Sequence, residues 1–180
     1  MVKNNLINTF LFCILFTTMN YSCDDTISYD KKALTYKDKF VFDNQFRIDG
    51  IYLMRKNYAD GYIIRYFFQD GFYYDEAISY EIEVECFQIK DKAREIPYAW
   101  GCFIVEGNIL KIQTYDHFSV PRYCEFKVKE IWAEIVNDTT IHFFKEINPT
   151  GKEKERELDE IFHFKYCENK PDSTNILMGW

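Results

Sequence analysis

Short stretches in which apolar and polar residues alternate dominate the chain from Phe46 onward. This alternation predicts β-strands, because successive side chains of a strand point to opposite faces of a sheet. Turn signals such as Asp70-Gly71 separate several of the stretches. We therefore predict a mainly β domain of about eight strands, connected mostly as antiparallel hairpins. The predicted strands and hairpin cover residues 46–54, 62–69, 72–74, 100–115, 123–136, 140–147 and 161–167.

The clearest hairpin centres on Gly107-Asn108, a dipeptide typical of two-residue turns. Pairing outward from this turn places apolar residues opposite each other on one face, namely Val105 with Leu110 and Phe103 with Ile112. A slip of one residue would expose that face to solvent, so the sequence specifies this register well.

Three segments depart from simple alternation. Residues 77–96 repeat isoleucines near helical spacing, which predicts one amphipathic helix after the third strand. The long strand from Tyr123 to Val136 changes apolar parity, and we predict a β-bulge near Lys129-Glu130. The charged run within Pro149–Glu160 predicts a solvated loop.

This order of elements favours an antiparallel up-and-down barrel or a strongly curled sheet. Inward aromatic side chains of such a barrel either fill its interior or line a small-ligand cavity. The candidate ligand-binding residues of the interior are Tyr52, Phe67, Phe103, Phe126, Phe143 and Phe164.

The net charge of the 180-residue chain is −7, and aromatic residues make up 19% of it. Residues 1–22 contain a single charged side chain, Lys3, so the remainder carries −8 by subtraction. An acidic chain without clustered Lys and Arg disfavours a nucleic-acid partner. It equally disfavours a polybasic contact with a membrane surface.

The N-terminus resembles an export signal. The apolar run Leu6–Phe16 has 11 residues after a basic start, too short for a bilayer span of about 20 residues. Ser22-Cys23 resembles the lipobox of bacterial lipoproteins, in which a cysteine after a small residue is acylated and becomes the mature N-terminus. The resemblance implies lipid attachment at Cys23 and a membrane partner through that anchor. Asp24-Asp25 resembles the acidic signal that directs some lipoproteins to the cell surface.

The body resembles small lipocalin-like bacterial lipoproteins of unknown function. Its first strand contains Arg47-Ile-Asp49-Gly50-Ile-Tyr52, where Gly50-Ile-Tyr52 is similar to the G-x-W of lipocalins, and Trp100-Gly101-Cys-Phe103 supplies a second shared motif. The resemblance implies a lipocalin-like barrel in an outer-membrane lipoprotein. The chain then divides into a signal peptide (1–22), a lipid-anchored tether (23–39), a lipocalin-like domain (40–170) and a tail (171–180).

Four cysteines of the mature body show no metal-binding spacing. They could form two disulfides or remain as buried thiols. Two strand spacings of about 10 Å separate Cys102 from Cys124 in a flat sheet, which disfavours a bridge between them. Any bridge should therefore involve Cys86 or Cys167.

Candidate catalytic chemistry is sparse. The three histidines lie in no recognisable motif, although His142 and His163 fall on adjacent predicted strands. Adjacent carboxylates such as Asp159/Glu160 are not set across a cleft. We predict no metal site, no cofactor and no enzymatic activity.

Two hypotheses remain open. The first is a non-enzymatic cell-envelope lipoprotein that binds a small apolar ligand in its barrel. The second is a module with a filled core that recognises another envelope component through exposed aromatics such as Trp100, Tyr115 and Trp132.

Overall fold

A computed structural model describes residues 33–41, 44–55, 61–78, 99–120, 123–148 and 154–174. The side chains of residues 77–78, 116–120 and 123–126 lie outside this description. The predicted signal peptide and Cys23 also lie outside the described residues. Within the described ranges, no helix has the length and apolarity needed to cross a bilayer.

Eight antiparallel strands close into one barrel, as the sequence predicts. Each strand pairs with its neighbour in sequence, and β1 closes the barrel by pairing with β8, where Tyr52 lies opposite Phe164. Closure leaves no free sheet edge. The strands are β1 (Gly50–Arg55), β2 (Tyr62–Phe67), β3 (Phe72–Ile78), β4 (Trp100–Glu106), β5 (Ile109–Val120), β6 (Tyr123–Asn137), β7 (Thr140–Ile147) and β8 (Glu155–Tyr166).

The hairpin β4–β5 has the predicted register. Val105 pairs with Leu110 and Phe103 pairs with Ile112. Gly107 has φ of 63°, the left-handed conformation that a turn of this kind requires. These four side chains belong to the barrel core, so the apolar face selected the register.

Three predictions about local structure need correction. β3 continues through Ala77 and Ile78, so a strand occupies the start of the predicted helix, and residues 79–96 lie outside the described part. The β5–β6 ladder runs from Val120–Tyr123 to Ile109–Glu134 without a shift. The register shifts of β6 occur instead against β7, at Trp132/Ala133 and Ile135/Asn137.

The third correction concerns the predicted charged loop 149–160. β8 begins at Glu155, so the second half of that segment is a strand. Leu158 and Glu160 share the inner face with Phe162, while Asp159 lies on the outer face. Charged residues occupy both faces here, which hides the alternation that identifies a strand.

The apolar end of the barrel, where β1 begins and β8 ends, is closed by the segment before β1. Phe46 is buried there among Tyr52, Phe67 and Phe103, with edge-to-face ring contacts of 5.3–6.1 Å between centroids. The Tyr52 hydroxyl donates its hydrogen bond between two carbonyl oxygens, 3.0 Å from that of Arg47 and 3.1 Å from that of Asp138. The entering chain is thereby joined to the β6–β7 turn.

The motif Arg47-Ile-Asp49-Gly50-Ile-Tyr52 builds this closure. The Arg47 guanidinium pairs with Asp49 at 2.6 Å and lies 4.3 Å from the centre of the Phe164 ring. A Cβ at Gly50 would lie 2.6 Å from the same ring and 2.1 Å from the carbonyl oxygen of Lys165. Only glycine allows this approach, so the motif is a packing device of the first strand.

The outer face of the barrel is also partly covered. Around β1 to β4 it carries a second buried cluster that includes Ile51, Ile64 and Trp100. Near β4 and β5, the 3-10 turn Thr35–Lys39 packs on it through Leu34 and Tyr36. The packed body therefore reaches back into the segment that the sequence assigned to the tether.

Candidate functional site at the charged end of the barrel

The aromatic residues predicted to line the interior are mutually packed. Tyr52, Phe67 and Phe103 are at most 1% exposed, and the Phe67 ring contacts the other two at 5.6 and 5.3 Å. Phe164 contacts Tyr52 at 5.5 Å, and Phe143 contacts Phe162 at 5.0 Å. These side chains fill the apolar half of the interior. Phe126, the remaining predicted residue, pairs with His117 in the β5–β6 ladder, and its side chain lies outside the description.

Two of the aromatics proposed as exposed recognition residues are buried. Trp100 is 0% exposed and Tyr115 is 2% exposed, each within a cluster on the outer face. Trp132 is partly exposed and lies between the ammonium groups of Lys111 and Lys145, at 4.7 and 5.4 Å from its ring centre. The structure thus removes two of the three residues from a surface-recognition role.

Arg65 enters the barrel interior from β2. It pairs with Tyr52 of β1 and with Asp75 of β3, and paired residues share a face of the sheet. Its side chain is 7% exposed. A cation at this depth needs compensation, since burying an unpaired charge is costly.

Aromatic rings and one carboxylate surround the Arg65 guanidinium. Its central carbon lies 3.7 Å from the Phe143 ring centre and 4.3 Å from that of Phe162. Nη2 donates to Glu160 Oε2 at 3.3 Å. Cation–π contact of this kind stabilises a guanidinium but provides no hydrogen-bond acceptor in the plane of its N–H groups.

Two buried nitrogen atoms at this level, Nε and Nη1 of Arg65, lack a hydrogen-bond partner in the described part of the chain. The Tyr73 hydroxyl is also buried, and the Asp75 carboxyl is its hydrogen-bonding neighbour. Buried polar groups are normally satisfied by protein, water or ligand, and each orphan costs about 1–3 kcal/mol. The interior around Arg65 therefore has unused donor capacity.

Asp75 lies beside Arg65 on the inner face. Burial raises the pKa of its carboxyl, although part of the residue remains exposed, and the positive charges of Arg65 and Lys129 oppose this effect. Burial also raises the pKa of the Tyr73 phenol well above its ordinary value. Tyr73 is therefore a neutral hydroxyl at physiological pH, and it is hydrogen-bonded to the Asp75 carboxyl.

A graded series of charges connects this interior with solvent. Glu146 is 16% exposed and accepts from Lys129 at 3.2 Å and from Arg156 at 3.3 Å. Arg156 itself is 55% exposed, and Glu160, the partner of Arg65, is 27% exposed. We call this part of the barrel, where β7 ends and β8 begins, the charged end. Side-chain exposure is highest at Arg156 and lowest at Arg65, and Glu146, Lys129 and Glu160 lie between these values.

The histidines and adjacent carboxylates do not form a catalytic site in the described residues. His142 lies opposite Ile161 while His163 lies opposite Thr140, so the ladder does not pair the two histidines. His142 instead contacts Asp159 at 3.0 Å on the outer face. Asp159 and Glu160 lie on opposite faces of β8 and cannot act on one substrate. No metal-binding group of three or more ligands occurs among the described residues.

The cysteines fall into two states. Cys102 is a free, buried thiol whose pKa burial raises to about 11, which makes it unreactive near neutral pH. Cys167 is disulfide-bonded. The prediction that Cys102 does not pair with Cys124 is confirmed, and so is the prediction of a bridge involving Cys86 or Cys167.

Arg65 was not identified from the sequence. The strand YIIRYF is apolar on both parities, and its one charged residue was the available signal. A single arginine within an otherwise buried strand indicates either an interior ion pair or an outward-facing position. The sequence alone does not decide between them, because both parities of this strand are buried.

Comparisons with protein-family models, with curated proteins and with solved structures find no match to this chain.

Proposed function

We propose that this chain is a non-enzymatic, lipid-anchored protein of the cell envelope that binds a small molecule in the charged end of its barrel. One observation carries the proposal: inside a closed barrel, Arg65 presents two buried nitrogen atoms, Nε and Nη1, that have no partner among the described residues. A bound molecule would satisfy donors that the described residues leave unused.

The location of the ligand differs from the apolar cavity that the sequence suggested. The aromatic half of the interior is occupied by its own side chains, such as Phe67 and Phe103. The charged end combines unused donors with a gradient of exposure from Arg156 inward. A ligand at Arg65 would thus contact polar groups on one side and the ring faces of Phe143 and Phe162 on the other.

The envelope location rests on the N-terminal pattern. The apolar run Leu6–Phe16 and the lipobox-like Ser22-Cys23 support export and acylation. The disulfide at Cys167 also supports an exported protein, since disulfides persist in oxidising compartments.

Native mass spectrometry of protein purified from its own host tests the binding function. We expect a retained small molecule that is released on denaturation and detected in the same sample. Two results together would contradict the proposal. One is a native mass equal to that of the protein alone, and the other is a melting temperature that no host extract raises.

Membrane fractionation tests the anchor separately. Cys23→Ala should move the protein from the membrane fraction to the soluble fraction, while Cys13→Ala, within the predicted signal core, should leave it membrane-bound. Unchanged detergent partitioning of Cys23→Ala would exclude acylation at this residue.

A further inference from the structure

We infer that the ligand of the charged end is a small polar organic acid whose acidic group binds to Arg65. This inference deepens the proposed function and rests on it. It concerns the chemical class of the ligand, which the donor set of the interior determines.

The unused groups at Arg65 are donors in a fixed geometry. Nε and Nη1 lack partners in the described part of the chain, while Nη2 is already engaged by Glu160 at 3.3 Å. Nε and Nη1 lie on different edges of the guanidinium plane, so each can donate to one oxygen of a carboxylate or another oxoanion. The neutral Tyr73 hydroxyl is hydrogen-bonded to Asp75, so Arg65 supplies the free donors at this level.

The surroundings favour an acceptor with charge over a neutral carbonyl. Phe143 and Phe162 cover the guanidinium with ring faces and exclude water from that side. In such a setting the Coulomb attraction between the guanidinium and an anion is screened less than in water, and a neutral carbonyl does not gain it. The only described anion in hydrogen-bond contact with Arg65, Glu160, lies toward solvent and is 27% exposed.

The other charged residues around Arg65 determine what the rest of the ligand, beyond its acidic group, can be. Lys129 and Arg156 carry positive charge at this end, and Asp75, Glu146 and Glu160 are its acidic groups. Glu146 is already paired with both cations, whereas Asp75 and Glu160 retain acceptor capacity for a hydroxyl or amino group of a ligand. A long hydrocarbon chain finds no matching surface here, and a compact hydroxy or amino acid does.

The Arg65 side-chain resonance provides a direct test in the unaltered protein. We would titrate 15N-labelled mature protein with lactate and with lactamide, which have the same shape and differ in charge. Lactate should shift the Arg65 Nε–H signal in a saturable manner, and lactamide should not. Equal shifts with both would overturn the assignment of an acidic group. An absence of any shift at Arg65 with lactate or acetate would overturn it as well.

A matched arginine elsewhere in the barrel serves as the control. Arg47 also stacks on a phenylalanine ring and pairs with a carboxylate, but at the apolar end and 40% exposed. Arg65→Met should weaken lactate binding at least about tenfold and Arg65→Lys by about tenfold, because the lysine ammonium does not place N–H groups at the positions of Nε and Nη1. Arg47→Met should leave binding unchanged, and an equal loss in both variants would indicate a purely structural effect.

Two further outcomes separate this inference from the proposed function. If native mass spectrometry finds a neutral retained molecule, the binding function is supported and the inference that the ligand is an acid is wrong. If sulfate or phosphate shifts the Arg65 signal and no organic acid does, the site holds an inorganic anion and the inference is again overturned. If no molecule is retained and no probe shifts Arg65, both proposals fail.

Discussion

Lys170 provides a pH-dependent test of how the C-terminal segment closes the apolar end. Its ammonium donates to the carbonyl oxygens of Ile48 and Phe67 and lies 4.8 Å from the ring centre of Phe68. Burial lowers the pKa of Lys170 from 10.5 to about 8, against the attraction of Asp49 and Asp70. The folded state thus holds its proton less tightly than the unfolded state does.

The sign of the pH effect follows from proton linkage. Between about pH 8 and 10.5 the unfolded chain binds more protons at Lys170, so the stability rises with pH. Below pH 8 both states are protonated and the full cost of burying the charge applies. From pH 7 to 9.5 the rise amounts to about 2 kcal/mol, because one pKa unit corresponds to about 1.36 kcal/mol.

Urea unfolding of the wild type and of Lys170→Met across this pH range measures the effect. The difference between the two proteins isolates Lys170, because tyrosines with raised pKa values, such as Tyr52, affect both equally. The wild type should gain about 2 kcal/mol relative to the variant between pH 7 and 9.5. Parallel pH profiles would refute the burial of this ammonium at the apolar end.

Two further pairs of substitutions test the same end of the barrel. Gly50→Ala should reduce the free energy of unfolding by about 3 kcal/mol, since its Cβ would meet the Lys165 carbonyl at 2.1 Å. Gly107→Ala, where a Cβ meets nothing within 4 Å, should cost only about 1–2 kcal/mol from its positive φ. Tyr52→Phe should cost about 1–2 kcal/mol because its hydroxyl joins two carbonyls, whereas Tyr166→Phe, 58% exposed, should be neutral. Comparable losses in the paired variants of either comparison would contradict the packing described.

The sequence predicts well wherever one face of a strand is apolar and the other is polar. In the hairpin around Gly107 the apolar pairs Val105–Leu110 and Phe103–Ile112 fix the register, and the structure has that register. The barrel topology follows for a similar reason, since short connections between antiparallel strands leave few alternatives. The closed pairing of β1 with β8 confirms the architecture.

Prediction fails where both faces of a strand have the same character. At the start of β8, Arg156 and Glu160 face inward while Asp159 faces outward, so no alternation of polarity marks residues 155–160 as a strand. In β2 both faces are apolar or buried, so the parity of Arg65 could not be assigned. Arg65 and Glu160, the ion pair at the centre of the candidate site, come from these two stretches, so the sequence did not identify them, although it did name Phe143 as an interior residue.

The two halves of the barrel interior differ in how far their buried polar groups are satisfied. At the apolar end, the Phe46 ring fills the space between the strands, and the Tyr52 hydroxyl is hydrogen-bonded to backbone carbonyl oxygens. The motif from Arg47 to Tyr52 closes this end of the barrel. At the charged end, Nε and Nη1 of Arg65 have no acceptor among the described residues. A protein gains no stability from burying unpaired donors. Retaining Arg65 there is reasonable if an incoming acceptor completes its hydrogen bonds, which is why the charged end, and not the aromatic core, is the place to look for a ligand.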